Sequence, residues 1–161
     1  IADIGLIGLP NAGKSSLLNE LTNAHAKIAS YPFTTLSPNL GVCEGKFLAD
    51  IPGLIEGASQ GRGLGIRFLK HIEKVGVILH CISSESSDLI KDYNIVRSEI
   101  GKYSQELSKK TEVILLTKSD LIDKKTGEKN IKTLKTKAKK VLAVSIYDWE
   151  SLENLKDLIK C

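Results

Sequence analysis

Eight residues near the amino terminus constrain this chain more than anything else in it. Gly8-Leu9-Pro10-Asn11-Ala12-Gly13-Lys14-Ser15 reads G-x-x-x-x-G-K-S. The motif follows Ile4 to Leu9, a short apolar run of buried-strand character. It opens a helical pattern, Lys14 to Thr22, in which Leu17, Leu18 and Leu21 share one face. A glycine-rich turn between a strand and a helix presents successive backbone N–H groups where the helix amino terminus is partially positive. Such a loop is a cradle for phosphate. Lys14 is placed to reach β- and γ-phosphates, Ser15 to ligate Mg²⁺, and Ser16 to add a first-turn amide.

The rest of the chain repeats the alternation that the cradle begins. Val42 to Ala49 reads as a strand or hairpin arm turned by Glu44-Gly45-Lys46, and Ile66 to Lys74 as a short helix. Val75 to Ile82 and Val113 to Thr117 are continuous apolar runs, as strands covered on both faces should be. Between them Leu89, Tyr93, Val96, Ile100, Tyr103 and Leu107 recur at helical spacing. A further helix is read through Ile131, Leu134, Ala138 and Val141, a last strand over Val141 to Ser145, and a closing helix N-capped by Ser151. Strand and helix in turn predict a mostly parallel α/β sheet. A length of 161 residues fits one domain, with 42% hydrophobic and 26% charged residues, which excludes disorder. No apolar run approaches the roughly 20 residues of a membrane helix, and no secretory leader is evident. Cys43, Cys81 and Cys161 lack metal-like spacing and are read as reduced thiols of an intracellular protein. Ala24 to Gly41 and Ile51 to Gly65 are long loops, which in compact domains tend to be functional.

Two further strand ends carry chemistry. Asp50-Ile51-Pro52-Gly53 closes an apolar strand. Alone it is equally a turn. Beside a phosphate cradle, Asp50 becomes a holder of the Mg²⁺ shell and Gly53 a backbone donor to the γ-phosphate. Thr117-Lys118-Ser119-Asp120 closes another strand. The Asp120 carboxylate suits the paired N1–H and 2-amino donors of guanine, which adenine lacks, and the Lys118 stem can lie along a base plane.

Together these residues resemble the Obg family of TRAFAC-class GTPases. The resemblance is closest at the cradle, at Tyr31-Pro-Phe-Thr-Thr-Leu-Ser-Pro-Asn-Leu-Gly41 and at Asp50-Ile-Pro-Gly-Leu-Ile-Glu-Gly-Ala-Ser59. It continues through Gly61-Arg-Gly-Leu-Gly65 and Phe68-Leu-Lys-His-Ile-Glu73. A sister branch that prefers ATP resembles the first half but lacks an aspartate like Asp120. The resemblance implies a Ras-like P-loop fold with a six-stranded, mostly parallel sheet. It makes Ala24 to Gly41 switch I, with Thr35 as second Mg²⁺ ligand and γ-phosphate sensor, Thr34 the less favoured choice and Phe33 beside the nucleotide. Ile51 to Arg67 becomes switch II. Ser145-Ile146-Tyr147 takes the place of the loop that backs the base.

Three departures bear on activity. Leu54 stands where Ras-like proteins carry a water-orienting glutamine, Thr117 replaces the usual asparagine, and Ile146 the usual alanine. No residue is an evident arginine finger; Arg62 and Arg67 are read as solvated or structural. In related GTPases an asparagine placed like Asn11 helps bind K⁺, so slow hydrolysis stimulated by K⁺ is expected. His25, His71 and His80 are assigned structural or surface roles.

By resemblance the longer proteins carry a glycine-rich amino-terminal domain and are linked to large ribosomal subunit assembly in the cytoplasm. This chain reads as a single G domain over residues 1–161. Two competing readings stand beside a GTP-hydrolysing switch. One is a nucleotide-gated adaptor with negligible turnover. The other is an RNA-contacting module through Lys124 to Lys140, which holds eight lysines against one acid, Glu128. That stretch carries +7 of a net +4, so the other residues sum to −3. It holds no aromatic residue for base stacking.

Overall fold

The computed structural model describes residues 2–22, 27–28, 39–51, 70 and 72–161. The strands are β1 (Ile4–Gly8), β2 (Lys27–Ile28), β3 (Asn39–Cys43), β4 (Lys46–Asp50), β5 (Val77–Ser83), β6 (Thr111–Thr117) and β7 (Lys140–Ala143). The helices are α1 (Lys14–Leu21), α2 (Leu89–Tyr103), α3 (Gln105–Ser108), α4 (Lys124–Leu134) and α5 (Trp149–Lys160). All strands join one sheet in the order β2-β3-β4-β1-β5-β6-β7. The expected six-stranded, mostly parallel sheet is present as β3 to β7 with β1 at its centre. The two-residue β2 extends its edge. β1 pairs parallel with β4 and β5, and β5, β6 and β7 continue in parallel; β3 runs antiparallel beside β4.

The order follows from the apolar pattern. β1 buries all five residues, because helices cover both faces of the sheet. Leu6, Leu48, Leu79 and Leu115 face α1 and α5, where Leu17, Leu18, Leu152 and Leu155 meet them. Ile7, Ile51 and Ile78 face Val96 and Ile100 of α2, and Ile114 and Leu116 pack with Tyr93 and Leu134.

The structure corrects three local expectations. The helical run from Leu89 to Leu107 is broken at Ser104. This residue is extended (φ −157°, ψ 121°), and its hydroxyl accepts from Leu107 N while donating to Glu73. Ile100 and Leu107 are both buried, so apolar spacing runs unbroken across a capped break. The helix read through Ile131 to Val141 ends at Leu134, and Val141 lies in β7. The N-cap of α5 is Asp148, whose carboxylate accepts from Glu150 N and Ser151 N. Ser151 is freed for another task, described below. The expected helix Ile66 to Lys74 lies mostly outside the described residues.

Candidate functional site

Chain order places the nucleotide motifs on one edge. From β1 the chain moves to β4 on one side and β5 on the other, and open α/β sheets bind ligands at such a switch point, outside the carboxyl ends of the strands. Gly8, Asp50, Ser83 and Thr117 each end a parallel strand there, with Leu6 opposite Asp50 and Ser83 opposite Thr117. Residues Leu9 to Gly13 form the turn from β1 into α1. A Cβ at Gly8 would stand 2.5 Å from the Cys81 carbonyl oxygen, so only glycine lets the loop leave the sheet so closely. Gly13 is left-handed (φ 85°) and brings no side-chain cap to α1. The amides of Lys14, Ser15 and Ser16 are therefore first-turn donors with no side-chain acceptor at the cap, as an anion site requires.

Asp50 is buried at the end of β4. Its Oδ2 accepts a 2.8 Å hydrogen bond from Ser15 Oγ. Its Oδ1 is buried without a hydrogen-bond partner, with Lys14 Nζ 3.8 Å away. Lys14 Nζ also donates to the Gly8 carbonyl at 3.1 Å. An orphaned carboxylate oxygen beside a hydroxyl is the donor set a hard divalent cation prefers, so Ser15 and Asp50 fit Mg²⁺. Phe33, Thr34, Thr35, Pro52 and Gly53 lie outside the described residues, as do Leu54, Arg62, Arg67, His25 and His71. Ile51 is buried in the α2-side core, so its side chain serves packing.

On the far side of the loop a cavity of about 330 Å³ is lined by Gly13, Ser16, Leu17, Thr117, Lys118, Asp120, Ile146 and Tyr147. Its walls are fastened to the cradle. Thr117 Oγ1 donates to the Ala12 carbonyl at 2.6 Å. Lys118, left-handed at φ 57°, donates from Nζ to the Asn11 carbonyl (2.9 Å) and to Glu85 (3.1 Å). Ser119 opens a short 3-10 turn that carries Asp120. Asp120 Oδ1 accepts from Ser145 Oγ at 2.8 Å, and that oxygen in turn accepts from Tyr147 N. Ser151 Oγ accepts from Ser145 N, so α5 holds the loop against the Asp120 carboxylate. Ile146 is half-buried against the α1-side core, which seats its larger side chain. Leu9, Pro10, Asn11 and Ala12 line a second cavity of about 480 Å³ toward α2, with His80 in its wall. Two contributors carried no motif in the sequence. Glu85 holds Lys118, and Ser151 holds Ser145. Only their sites just after β5 and within the first turn of α5 could have drawn notice.

A nucleotide-sized cavity beside a phosphate cradle, on a doubly wound parallel sheet, defines a P-loop nucleotide-binding protein of the Ras-like class. Residues 3–119 match the family described as 50S ribosome-binding GTPase. The chain is 51% identical over 152 residues to a GTPase Obg from Rickettsia bellii, covering 91% of this chain and 46% of that protein. It is 48% identical over 161 residues to a GTPase Obg from Pelagibacter ubique, covering 97% and 49%. This chain belongs to the Obg family of GTPases, and it spans about half the length of these two relatives. Among solved structures, a mutant of S. thermophilus NFeoB bound to GDP superposes with a TM-score of 0.69 at 19% identity, over 98% of this chain and 61% of that one. At that identity the likeness is one of fold. Among the described residues no helix is long and apolar enough to cross a membrane.

Proposed function

We propose that residues 1–161 form one G domain, a molecular switch that binds GTP and GDP with Mg²⁺ and hydrolyses GTP. In the cytoplasm, as part of a longer protein, it would act on the large ribosomal subunit. One observation carries this reading: Ser15, bonded to Asp50 with its orphaned oxygen, stands between Gly13 and Ser16, and those two neighbours line one cavity of about 330 Å³ together with Asp120.

The phosphate tail would lie along Gly8 to Ser16, held by backbone amides and Lys14. Ser15, Asp50 and Thr35 would hold Mg²⁺, which when bound offsets negative charge on the phosphate oxygens. Thr35 and the Gly53 amide would sense the γ-phosphate, with Thr34, Phe33, Ile51 and Pro52 beside it. Asp120 would select guanine, with Lys118, Ser119, Ser145, Ile146 and Tyr147 around the base and Thr117 behind the loop. Leu54 cannot orient water, so turnover is slow, about 10⁻⁴–10⁻² s⁻¹ by comparison with unassisted GTPases. The Asn11 side chain is exposed and makes no hydrogen bond among the described residues, which leaves its amide oxygen for K⁺.

Calorimetry with GDP, GTP and ATP in Mg²⁺ tests the assignment. Guanine nucleotides bind at least about 100-fold tighter than ATP, and Asp120→Asn removes most of that preference, because it leaves the base's donors without their carboxylate. Equal ATP and GDP affinities would sink the guanine reading. Phosphate release at saturating GTP is several-fold faster in K⁺ than in Na⁺, and Asn11→Ala abolishes the difference. Equal rates in both salts remove the K⁺ role, and no turnover above background converts the switch into a nucleotide-gated adaptor.

A further inference from the structure

None of the eight lysines between Lys124 and Lys140 lines either cavity beside the cradle. All eight are exposed. None has an ion-pair partner among the described residues. The two nearby acids do not neutralise them: Asp123 is engaged as the N-cap of α4, accepting from Thr126 N at 2.7 Å, and Glu128 forms no salt bridge among the described residues. Lys125, Lys129 and Lys132 stand at i, i+4 and i+7, so they form one stripe roughly 10 Å long. Leu134 of the same helix is buried and Ile131 half-buried on the opposite side, toward the sheet. Lys124 and Lys125 occupy the first turn, where the helix dipole disfavours cations, so helix stability does not account for them. Uncompensated positive charge retained at an electrostatic cost calls for an external polyanion.

We infer that the exposed face of α4 and the turn into β7 dock on the phosphate backbone of structured RNA without reading its sequence. The stretch has no arginine to pair with base edges and no aromatic side chain to stack on them. A membrane surface is the other extended polyanion. An interfacial helix needs an apolar face, and no large exposed hydrophobic residue lies between Asp123 and Lys140. The choice of RNA rests on the ribosomal reading above.

The test uses the whole chain and three proteins: wild type, Lys125/Lys129/Lys132→Gln, and a control with the same charge change on α2 and just after α3, Lys91/Lys102/Lys109→Gln. Far-UV circular dichroism and GDP titration are run on each. Binding of a fluorescein-labelled RNA hairpin is followed by anisotropy from 50 to 300 mM KCl. The α4 variant loses at least tenfold in affinity at 100 mM KCl, and its salt slope falls by about 2 to 3, near one per lysine removed. The control stays within about twofold of wild type. Equal losses in both variants, or no RNA binding by folded wild type, overturn the proposal. So does lysine-dependent binding to phosphatidylserine vesicles with none to RNA. Intact GDP binding alongside absent RNA binding defeats this proposal and leaves the nucleotide reading standing; absent GDP binding defeats that reading instead.

Discussion

Thr117 has one hydroxyl proton, and the structure commits it. Its Oγ1 is buried and lies 2.6 Å from the Ala12 carbonyl. This bond ties β6 to the loop that would wrap the phosphates. N7 of a purine is an acceptor, and a hydroxyl whose proton is already given away cannot donate to it. In the proposed site, base selection would therefore fall on the Asp120 carboxylate, whose Oδ2 is not occupied by the Ser145 bond. 7-deaza-GDP accordingly binds within about threefold of GDP, whereas inosine diphosphate, which lacks the 2-amino donor, binds at least tenfold more weakly. Thr117→Asn adds an amide donor and makes the protein discriminate against 7-deaza-GDP. Competition of each analogue with a fluorescent GDP measures all of this. A wild-type protein that already rejects 7-deaza-GDP tenfold would show that Thr117 donates elsewhere when nucleotide is bound.

At the scale of elements, strands and motif positions were legible and joints were not. β1, β5 and β6 are buried on both faces, and continuous apolar runs announce that arrangement without reference to partners. The cradle and the two aspartate motifs were legible because each pairs a strand end with special residue types: glycine for close approach, carboxylate for a donor pair. The break at Ser104 was hidden because Ile100, Tyr103 and Leu107 keep helical spacing across it. What ends α2 is a local competition won by a side chain that reaches Glu73, far away in sequence. The start of α5 is hidden in the sequence for a related reason. Asp148 and Ser151 are both capping types, and only the tertiary bond between Ser151 and Ser145 decides which one caps. The tie from Lys118 to Glu85 joins residues 33 apart, and no local pattern encodes it.

At the scale of the whole molecule, one buried cluster couples folding to pH. His80 is fully buried on β5, its Nδ1 3.0 Å from Glu112 Oε2 and its ring stacked on Tyr93 at 5.1 Å. Tyr93 donates to the other Glu112 oxygen at 2.9 Å, and Arg97 stands 3.6 Å from Glu112. Burial lowers His80 from its ordinary value near 6.5, helped by the charges of Arg97 and Lys14 and opposed by Glu112. Burial works against ionised Glu112 as well, yet the His80 and Tyr93 bonds and the Arg97 charge hold its carboxyl below the usual range. The signs agree. In both groups the unfolded chain takes up a proton at a higher pH than the folded one, so acid favours unfolding. The His80 contribution is complete above about pH 6.5 and drains away below it, at up to about 1.4 kcal/mol per pH unit for one proton. The Glu112 contribution follows below its ordinary range near 4.5. Urea unfolding of wild type and His80→Gln from pH 7.5 to 5.0 isolates the first part, because glutamine can still donate to Glu112 and does not titrate in this range. His25 and His71 are common to both proteins and cancel in the difference. Below pH 6.5 the stability of wild type falls more steeply than that of His80→Gln; parallel curves would mean that the folded protein accepts a proton on His80 as readily as the unfolded chain does.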